Sequence, residues 1–356
     1  MNGSSQEKAG KPPSDLERLD GFFKGASELL VVTHNNPDPD ALASAQALSH
    51  LAKVRYGVHA SLAFRGNITR AENRAMIRLL HIRLKQFNRV RLEKYGRIAL
   101  VDGQPLAGNT PDMAYDLVID HHPLRKDTQG GMVVIRPEIG VTATILVNWL
   151  REASVEIPVN LATALAYAIS SETQNLGREA NRMDVEAYLH VYTRANMRKL
   201  AQILHPNLPR EYFQVLDRAL HRTHIFRNML CSHLEDIPSV EIVSEMADFL
   251  LRMERISWVL CTGRFKDQLV LSVRTKNPKA KAGNLVKRLV RDSRTVGGHD
   301  MTAGGYIDIR NLGKDEIEAL EGDLLKKFVR VRGFKEAAWK FLVSNPTAAE
   351  PVEGSS

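Results

Sequence analysis

The sequence predicts a two-domain α/β protein, in which a mostly parallel sheet with helices on both faces is followed by a smaller α/β domain. Three observations support this prediction. The chain has 356 residues, more than the ~250–300 at which a single hydrophobic core usually divides. Short apolar runs at residues 29–32, 97–101 and 116–120 have the length of buried strands. Segments of helical periodicity lie between such runs, as they do in βαβ units.

The first domain is predicted over residues 15–195, as alternating helices and strands. Residues 16–29 carry a helical pattern that leads into the first strand, and the alanine-rich segment 41–52 repeats its apolar residues at helical spacing. The other predicted elements are a strand at 59–64, a basic helical stretch at 70–85, strands at 97–103, 116–120 and 132–135, and helices at 141–151, 160–169 and 183–194. Ligands of such sheets bind at the carboxyl ends of the strands.

The second half is predicted to begin with a helical linker at residues 196–237, which are rich in Arg and His and give no strand signal up to residue 233. The second domain is then expected over residues 238–343. Its predicted elements are a helix at 245–252, a hairpin of 256–261 with 268–274, a basic helix at 285–290, a glycine-rich turn at 297–305, a strand at 306–309 and a helix at 315–331. Residues 1–14 and 344–356 are predicted to be disordered tails.

Composition narrows the class of protein. The formal net charge of +8 favours anionic partners such as phosphates or nucleic acid. Cys231 and Cys261 lie far apart without a CxxC spacing, which argues against a disulfide framework and a thiolate zinc site. Because no apolar stretch approaches the ~18 residues of a membrane span, we expect a cytoplasmic protein without a membrane partner.

The loop after the first predicted strand carries one imidazole and two carboxylates. His34 precedes Asp38 by four residues and Asp40 by six, so one sharp loop can direct all three side chains into one cavity. Such ligands suit Mn²⁺ or Mg²⁺, and Mn²⁺ is favoured when histidine takes part. Two structural alternatives are open, because Asn, Asp and Pro also form turns and because Asp40 can cap the helix that follows.

Two further predicted strands end in the same residue types. Asp102 ends one of them, and Asp120, His121 and His122 end the other. Each is ambiguous alone, since Asp102 can cap the next segment and neighbouring side chains on a strand point to opposite faces. Three such strand ends in one parallel sheet would meet at one edge. We therefore predict a site for two divalent cations ~3.5–4 Å apart, an arrangement that hydrolyses phosphate esters.

In this order the motifs resemble those of the DHH phosphoesterase family, within the subfamily whose C-terminal domain carries a GGGH-type signature. That group includes oligoribonucleases and 3′-phosphoadenosine 5′-phosphate phosphatases, and the resemblance extends over about residues 20–340. The five matching motifs are, in order, His34 with Asp38 and Asp40; Asp102; Asp120 with His121 and His122; Glu172 with Thr173; and Arg274 with Gly297, Gly298 and His299.

The resemblance implies a role for each of these residues. One metal ion would be held by His34, Asp38 and Asp102, and the other by Asp40, Asp102, His121 and Glu172. Asp120 would orient a histidine through its ring N–H, and His122 would donate a proton to the leaving oxygen. Substrate would be bound by Arg274, Gly297, Gly298 and His299. The fold implied is a catalytic domain followed by a substrate-binding domain.

Two positions depart from the family pattern. The fourth motif has Glu172 where aspartate is usual, so the longer side chain must reach the same metal ion from a different backbone position. Val296 replaces the first glycine of the C-terminal signature, where glycine allows close approach of N–H groups to an anion. We therefore expect effects on metal binding at the first position and on substrate binding at the second.

The implied activity is hydrolysis of short oligoribonucleotides, linear dinucleotides or 3′-phosphoadenosine 5′-phosphate, with two Mn²⁺ ions, or Mg²⁺ in their place, and a homodimeric state. Residues 274–294 contain eight Lys or Arg and one acid. A solvated helix face is the structural alternative to phosphate binding there. Aromatic residues do not interleave with this run, which favours short substrates over long ones.

Three other functions are alternatives for this sequence. A cyclic-dinucleotide phosphodiesterase could use the same residues. A non-catalytic nucleotide- or RNA-binding protein is a second alternative. Its departures from the family pattern at Glu172 and Val296 would then accompany the loss of catalysis. Inorganic pyrophosphatase or exopolyphosphatase activity is disfavoured, because related enzymes carry a different second domain without Gly-Gly-His.

Overall fold

A computed structural model describes residues 13–177, 180–290, 295–298 and 301–343 of the chain. The chain forms two compact units, which divide between Asn207 and Leu208. Each unit has its own sheet and its own hydrophobic core.

The first unit contains a six-stranded sheet. Its strands are β1 (Glu28–Thr33), β2 (His59–Phe64), β3 (Leu84–Gln86), β4 (Arg97–Val101), β5 (Leu117–Asp120) and β6 (Met132–Ile135). Its helices are α1 (Asp15–Phe23), α2 (Pro39–Tyr56), α3 (Ala71–Leu80), α4 (Thr142–Glu152), α5 (Val159–Glu172), α6 (Arg182–Tyr192) and α7 (Met197–Leu204), with short 3-10 helices at Phe87–Arg89 and Leu92–Lys94.

All six strands run parallel, in the order β3-β2-β1-β4-β5-β6. One face carries the main core, in which Leu29 and Val31 pack with α-helical side chains such as Leu48. The other face is covered by segment 87–95, whose Phe87 and Tyr95 pack on the opposite side of the same strands. The predicted parallel α/β domain with helical segments on both faces is confirmed.

Helix α2 shows how local sequence places the loop that precedes it. The Asp38 side chain accepts a hydrogen bond from the Ala41 N–H and forms the N-cap, and Pro39 occupies the first helical position. The helix ends at Gly57, which has a left-handed φ of 69°. Asp38, and not Asp40, is therefore the residue that caps this helix.

The helical stretch predicted at residues 70–85 is shorter in the structure. Helix α3 ends at Leu80, because His81 adopts a left-handed φ of 57° and directs the chain into strand β3. Leu84 then pairs with Leu62 of β2. The second half of the stretch is therefore the edge strand of the sheet.

The second unit contains a seven-stranded sheet in the order β11-β12-β10-β9-β8-β7-β13. Its strands are β7 (Thr223–Phe226), β8 (Met229–Asp236), β9 (Trp258–Phe265), β10 (Gln268–Thr275), β11 (Val296–Gly298), β12 (Thr302–Asp308) and β13 (Lys340–Phe341). Its helices are α8 (Arg210–His221), α9 (Glu241–Leu251), α10 (Ala282–Leu289) and α11 (Lys314–Val331). The pairing is antiparallel except between β8 and β9. The predicted α/β class of the second domain is confirmed.

The structure corrects the predicted helical linker at residues 196–237. Helices α7 and α8 lie there, but strands β7 and β8 follow, and the second unit already begins at Leu208. Met229 and Cys231 of β8 face one core while Leu230 and Leu234 face another. Because this strand is buried on both faces and interrupted by polar residues, it lacks the simple alternation that marks a half-buried strand.

The predicted glycine-rich turn at residues 297–305 is a hairpin. Gly297 pairs with Gly304 across β11 and β12, and Gly298 pairs with Ala303. Gly298 has a φ of 146°, and a Cβ there would collide with the backbone of Ala303. The close approach of these two strands explains the glycine at this position.

The predicted tails fall almost entirely outside the described residues. Ser14 is an exception, because it forms the N-cap and capping box of α1 with Glu17. Among the helices of the described residues, none is both long and apolar enough to cross a membrane.

Candidate metal centre

Most of the residues predicted to bind metal lie where the strand order of the first sheet reverses, between β1 and β4. Strand β1 is followed along the chain by β2 on one side, whereas β4 and β5 lie on the other side. The loops after β1 and β4 therefore leave the sheet side by side, at the position where α/β sheets bind ligands. His34 follows β1, Asp102 follows β4, and His121 follows β5.

His34, Asp38 and Asp102 form the first cluster of metal-ligating groups. His34 Nε2 lies 3.7 Å from Asp38 Oδ2 and 3.5 Å from Asp102 Oδ2. Its other ring nitrogen, Nδ1, donates to the Asn35 carbonyl at 2.9 Å. That bond turns Nε2 toward the carboxylates, which is the ring orientation a metal ligand requires.

Asp102, His121 and His122 form the second cluster. Asp102 Oδ1 lies 3.8 Å from His121 Nε2, so Asp102 turns one oxygen toward each cluster. Asp102 is almost fully buried and has a left-handed φ of 57°, and its N–H donates to the Ile119 carbonyl at 2.8 Å. This strained backbone directs the side chain between the two strand ends.

Thr142, the first residue of α4, holds the shared carboxylate. Its hydroxyl donates to Asp102 Oδ1 at 3.0 Å, and both side chains are buried. Because Oδ1 is the oxygen that faces His121, this bond fixes the rotation of the Asp102 carboxylate about its last torsion angle.

Asp120 and His122 form a hydrogen-bonded pair beside the second cluster. His122 Nδ1 lies 2.9 Å from Asp120 Oδ1, and the Gln104 amide donates to Asp120 Oδ2 at 2.7 Å. The hydrogen bond to Asp120 raises the pKa of His122 to about 9, and the same bond outweighs burial and lowers the pKa of Asp120. The Asp120 side chain is buried, whereas about half of the His122 side chain (48%) is exposed. His122 therefore lies on the open side of the centre, with one ring nitrogen held by Asp120.

Asp40 lies outside both clusters of the described residues. It is buried, and its Oδ2 accepts the Thr142 N–H at 2.8 Å while its Oδ1 accepts the Ala143 N–H at 2.7 Å and the Ser44 hydroxyl at 3.1 Å. Asp40 therefore satisfies the first N–H groups of α4, whose own N-cap, Val141, has no side-chain acceptor. Asp40 thus accepts hydrogen bonds at the start of a helix, as the structural alternative expected, but the helix is α4 and not α2.

Glu172 is the last residue of α5, and it is exposed. Its charge contributes to the raised pKa of both Asp40 and His122, so it lies within electrostatic reach of the second cluster. Burial is the largest cause of the raised pKa of Asp40, followed by the charge of Asp102. Glu172 thus lies near the centre but belongs to neither cluster.

The donor set fits a divalent cation. Burial opposes protonation of His34, but hydrogen bonds to Asp102 and Asp38 outweigh it and hold the pKa of His34 well above its usual value. The same bond to His34 lowers the pKa of Asp38 against the effect of burial. The carboxylates thus draw positive charge to this position. Imidazole nitrogen and carboxylate oxygen are both common ligands of divalent cations.

The predicted substrate residues lie in the second unit. Arg274, Gly297 and Gly298 line a cavity of about 320 Å³ together with residues of α9 and β12. Arg274 donates through Nε to Asp248 at 2.6 Å and through Nη1 to the Ser272 hydroxyl at 2.8 Å. The structure therefore brings these three predicted residues together. His299 lies outside the described residues.

Two residues of the centre were missed from sequence, namely Gln104 and Thr142. Gln104 follows Asp102 and Gly103 at the end of β4, and Thr142 follows the small residue Gly140 at the start of α4. For Gln104 the available signal was its position two residues after the predicted ligand Asp102, whereas Thr142 has no predicted ligand near it in sequence. Their partners are 16 and 40 residues away in sequence, which local patterns do not reveal.

Comparison with known proteins gives three findings. Residues 28–169 match the family model described as DHH family, N-terminal domain. An uncharacterized protein from Methanocaldococcus jannaschii is 35% identical over 319 residues, which are 86% of this chain and 65% of that protein. A probable manganese-dependent inorganic pyrophosphatase from Exiguobacterium sp. is 32% identical over 153 residues, which are 41% of this chain and 48% of that protein. The chain thus spans less than two thirds of the length of either relative.

The fold also has a counterpart among solved structures. An exopolyphosphatase-related protein from Bacteroides fragilis aligns with a TM-score of 0.70 at 14% identity, covering 89% of this chain and 97% of that one. At this identity the likeness shows the fold alone. The parallel sheet, the strand ends that carry acids and histidines, and the family match all agree, and they identify residues 28–169 as a DHH family N-terminal domain.

Proposed function

We propose that the chain is a manganese-dependent phosphoesterase that hydrolyses short oligoribonucleotides or linear dinucleotides, with 3′-phosphoadenosine 5′-phosphate as a further substrate. The observation that supports this most is the position of Asp102, which belongs to both clusters of metal-ligating groups. A shared carboxylate is what a pair of divalent cations requires, and such pairs stabilise both the attacking and the leaving oxygen of a phosphate ester. Relatives named as probable manganese-dependent pyrophosphatases support Mn²⁺ as the ion, with Mg²⁺ in its place.

In this proposal the metal ligands are those of the family pattern. His34, Asp38 and Asp102 hold one cation, and Asp102 with His121, Asp40 and Glu172 holds the other. Asp40 keeps the capacity for this role, because it accepts three hydrogen bonds among the described residues and a carboxylate has about four lone-pair sites. When bound, the cations supply Lewis acidity toward the phosphate and lower the pKa of water.

His122 donates the proton that the leaving oxygen needs. Its Nδ1 is held by Asp120 at 2.9 Å, and Gln104 fixes Asp120 from the other side at 2.7 Å. This chain of contacts leaves the Nε2 edge of an exposed ring free to approach a substrate. Asp120 and Gln104 position the ring and do not touch the phosphate.

In the second unit, Arg274 and the glycine hairpin bind a phosphate or ribose group of the substrate. The Arg274 side chain is largely buried, and its guanidinium is oriented by Ser272 and Asp248. A guanidinium held in this way presents its remaining N–H groups as a fixed fork, the geometry that suits phosphate. We include His299 among these substrate-binding residues. The proposal also places the protein in the cytoplasm, as a homodimer.

The experiment is a substrate panel with purified protein and Mn²⁺. It compares a linear dinucleotide, a longer RNA, a cyclic dinucleotide, 3′-phosphoadenosine 5′-phosphate and pyrophosphate. We expect release of mononucleotides from the dinucleotide and the RNA. If the cyclic dinucleotide or pyrophosphate is cleaved faster, that compound is the substrate in place of the linear dinucleotide and RNA. Nucleotide binding without release of any product would indicate a binding protein.

Asp102→Ala provides the test of mechanism, and Asp112→Ala is its matched control. Asp112 is an exposed carboxylate between β4 and β5. We expect Asp102→Ala to lose more than the ~10–100-fold that outer partners of metal ligands typically contribute, and Asp112→Ala to retain activity. Equal activity of the two variants would refute the proposal.

A further inference from the structure

Positive charge is concentrated in one short segment of the first unit. Residues 65–97 contain ten Lys or Arg and two acids, an excess equal to the formal net charge of +8 of the whole chain. Eight of the ten are arginines. This segment includes α3, β3 and the two 3-10 helices, and none of it takes part in the metal centre described above.

The fold places this segment along the free edge of the catalytic sheet. Strand β3 is the edge strand, and β2 separates it from β1. Six exposed side chains follow this edge and the adjoining helix, and we call them the basic edge: Arg65, Arg74, Arg78, Arg83, Lys85 and Arg89. Among the described residues, none of the six forms an ion pair, and Lys85 donates only to the Ser61 hydroxyl. Their charge is therefore available to a partner.

The basic edge is joined directly to the loop that carries Asp38. The Asn36 N–H donates to the Arg65 carbonyl at 2.8 Å, and the Asn67 N–H donates to the Asn36 side chain at 2.7 Å. The Asn73 amide of α3 donates to the Pro37 carbonyl at 3.4 Å. These hydrogen bonds connect the segment that carries Arg65 and the helix that carries Arg74 to the loop of the first metal cluster.

Three of the six lie on the same side of the sheet as the metal centre. Arg65 follows the carboxyl end of β2, Arg89 follows that of β3, and Arg74 lies in the first turn of α3. Because all the strands are parallel, these positions share the carboxyl edge with His34 and Asp102. Neighbouring strands lie ~5 Å apart, so the edge strand is ~10 Å from β1.

The chemistry of the segment favours a flexible phosphate chain over a membrane or an apolar protein surface. No large hydrophobic side chain between residues 65 and 97 is exposed, whereas interfacial membrane binding needs such groups. Arginine presents a planar fork that matches phosphate oxygens in pairs. Phe87 and Tyr95 pack inward on the sheet, so bases have no aromatic platform here.

We infer that the basic edge binds the sugar-phosphate backbone of single-stranded RNA and leads a substrate longer than a dinucleotide toward the loop at Asp38. This inference rests on the proposed function and adds a substrate length to it. Binding is electrostatic and independent of base sequence, because the contacts are to phosphates. The lack of interleaved aromatic residues favours short substrates only where bases stack on the protein. This surface contacts phosphates and needs no stacking.

The test compares two triple variants of equal formal charge. Arg65→Gln/Arg74→Gln/Arg89→Gln removes the three arginines at the carboxyl edge. Lys24→Gln/Lys53→Gln/Arg151→Gln removes three exposed cations at the C-terminal ends of α1, α2 and α4, near the edge of the sheet where the strands begin. Affinity for a fluorescent single-stranded RNA of about twelve nucleotides is measured by anisotropy in EDTA over a salt series, since single-strand sites extend over ~4–16 nucleotides.

Each phosphate contact contributes ~0.7 to the slope of log affinity against log salt for single strands. The edge variant is expected to lose ~2 from this slope and ~100-fold in affinity at 0.1 M salt, if each arginine contacts one phosphate. The control variant is expected to bind like the wild type. Arg65→Lys/Arg74→Lys/Arg89→Lys should restore the slope, which separates loss of charge from loss of fold.

Equal RNA binding by the edge and control variants overturns the inference. It is also overturned if the edge variant keeps RNA affinity but loses binding to vesicles of anionic phospholipid. Hydrolysis of a dinucleotide by the wild type is measured in parallel with Mn²⁺. Failure of that reaction refutes the proposed function, whereas an unchanged salt slope in the variants refutes the basic edge.

Discussion

Replacement of Thr142 by valine tests how the shared carboxylate is held. Valine keeps the shape of threonine and the backbone N–H that donates to Asp40, and removes only the hydroxyl that donates to Asp102 at 3.0 Å. A hydrogen bond to a charged group contributes ~1.5–3 kcal/mol. At 1.4 kcal/mol for each tenfold change, we expect Mn²⁺ binding to weaken by ~10–150-fold in Thr142→Val. The number of metal ligands is unchanged in this variant.

Thr144→Val is the matched control for this experiment. Thr144 is buried on the same helix, and its hydroxyl has no hydrogen-bond partner among the described residues. Calorimetric titration of the metal-free protein with Mn²⁺ compares both variants with the wild type, after thermal unfolding in EDTA has shown that both are folded. Thr144→Val should bind Mn²⁺ as the wild type does. Equal Mn²⁺ affinities of the two variants would refute the role of the Thr142 hydroxyl.

Three further predictions concern separate contacts. Gln104→Met removes the amide that holds Asp120, and steady-state kinetics should show a ~10–100-fold lower rate at saturating Mn²⁺; a normal rate would contradict this role. Burial, reinforced by nearby positive charges, lowers the pKa of His233 to about 4, so stability is complete above its unfolded pKa of ~6.5 and is lost as the pH falls toward 4. In urea unfolding, the change in stability from pH 7.5 to pH 5 should therefore be ~2 kcal/mol less favourable for the wild type than for His233→Gln, and an equal change in the two proteins would contradict this role. Gly298→Ala, which meets the Ala303 backbone at a φ of 146°, should lower the unfolding temperature, whereas Gly297→Ala, which meets open space, should not.

The convergence of candidate ligands at the strand ends could be predicted because their signals are local. A short apolar run marks β1, β4 and β5, and the acid or histidine that follows each run is the first polar group at the edge of the sheet. In a parallel sheet these ends converge whatever the details of packing. His34, Asp38, Asp102 and His121 were therefore correctly expected to lie near one another.

The contacts that orient those residues could not be predicted in the same way. Asp40 reaches the N-terminus of α4, about a hundred residues later in sequence, and Thr142 reaches back to Asp102. Strand β8 was missed because it is buried against two different cores and carries His233 and Ser232 within it. Each of these features depends on a partner that is brought close only by the complete fold.

The amount of Mn²⁺ bound per chain at equilibrium tests whether Asp102 is shared by two cations. It is measured by dialysis and elemental analysis of the wild type and of Asp102→Ala. We expect two Mn²⁺ ions for each wild-type chain, and the loss of both from Asp102→Ala at the same free Mn²⁺ concentration, because Asp102 faces both clusters. A wild type that binds no Mn²⁺, or an Asp102→Ala variant that keeps both ions, would contradict it.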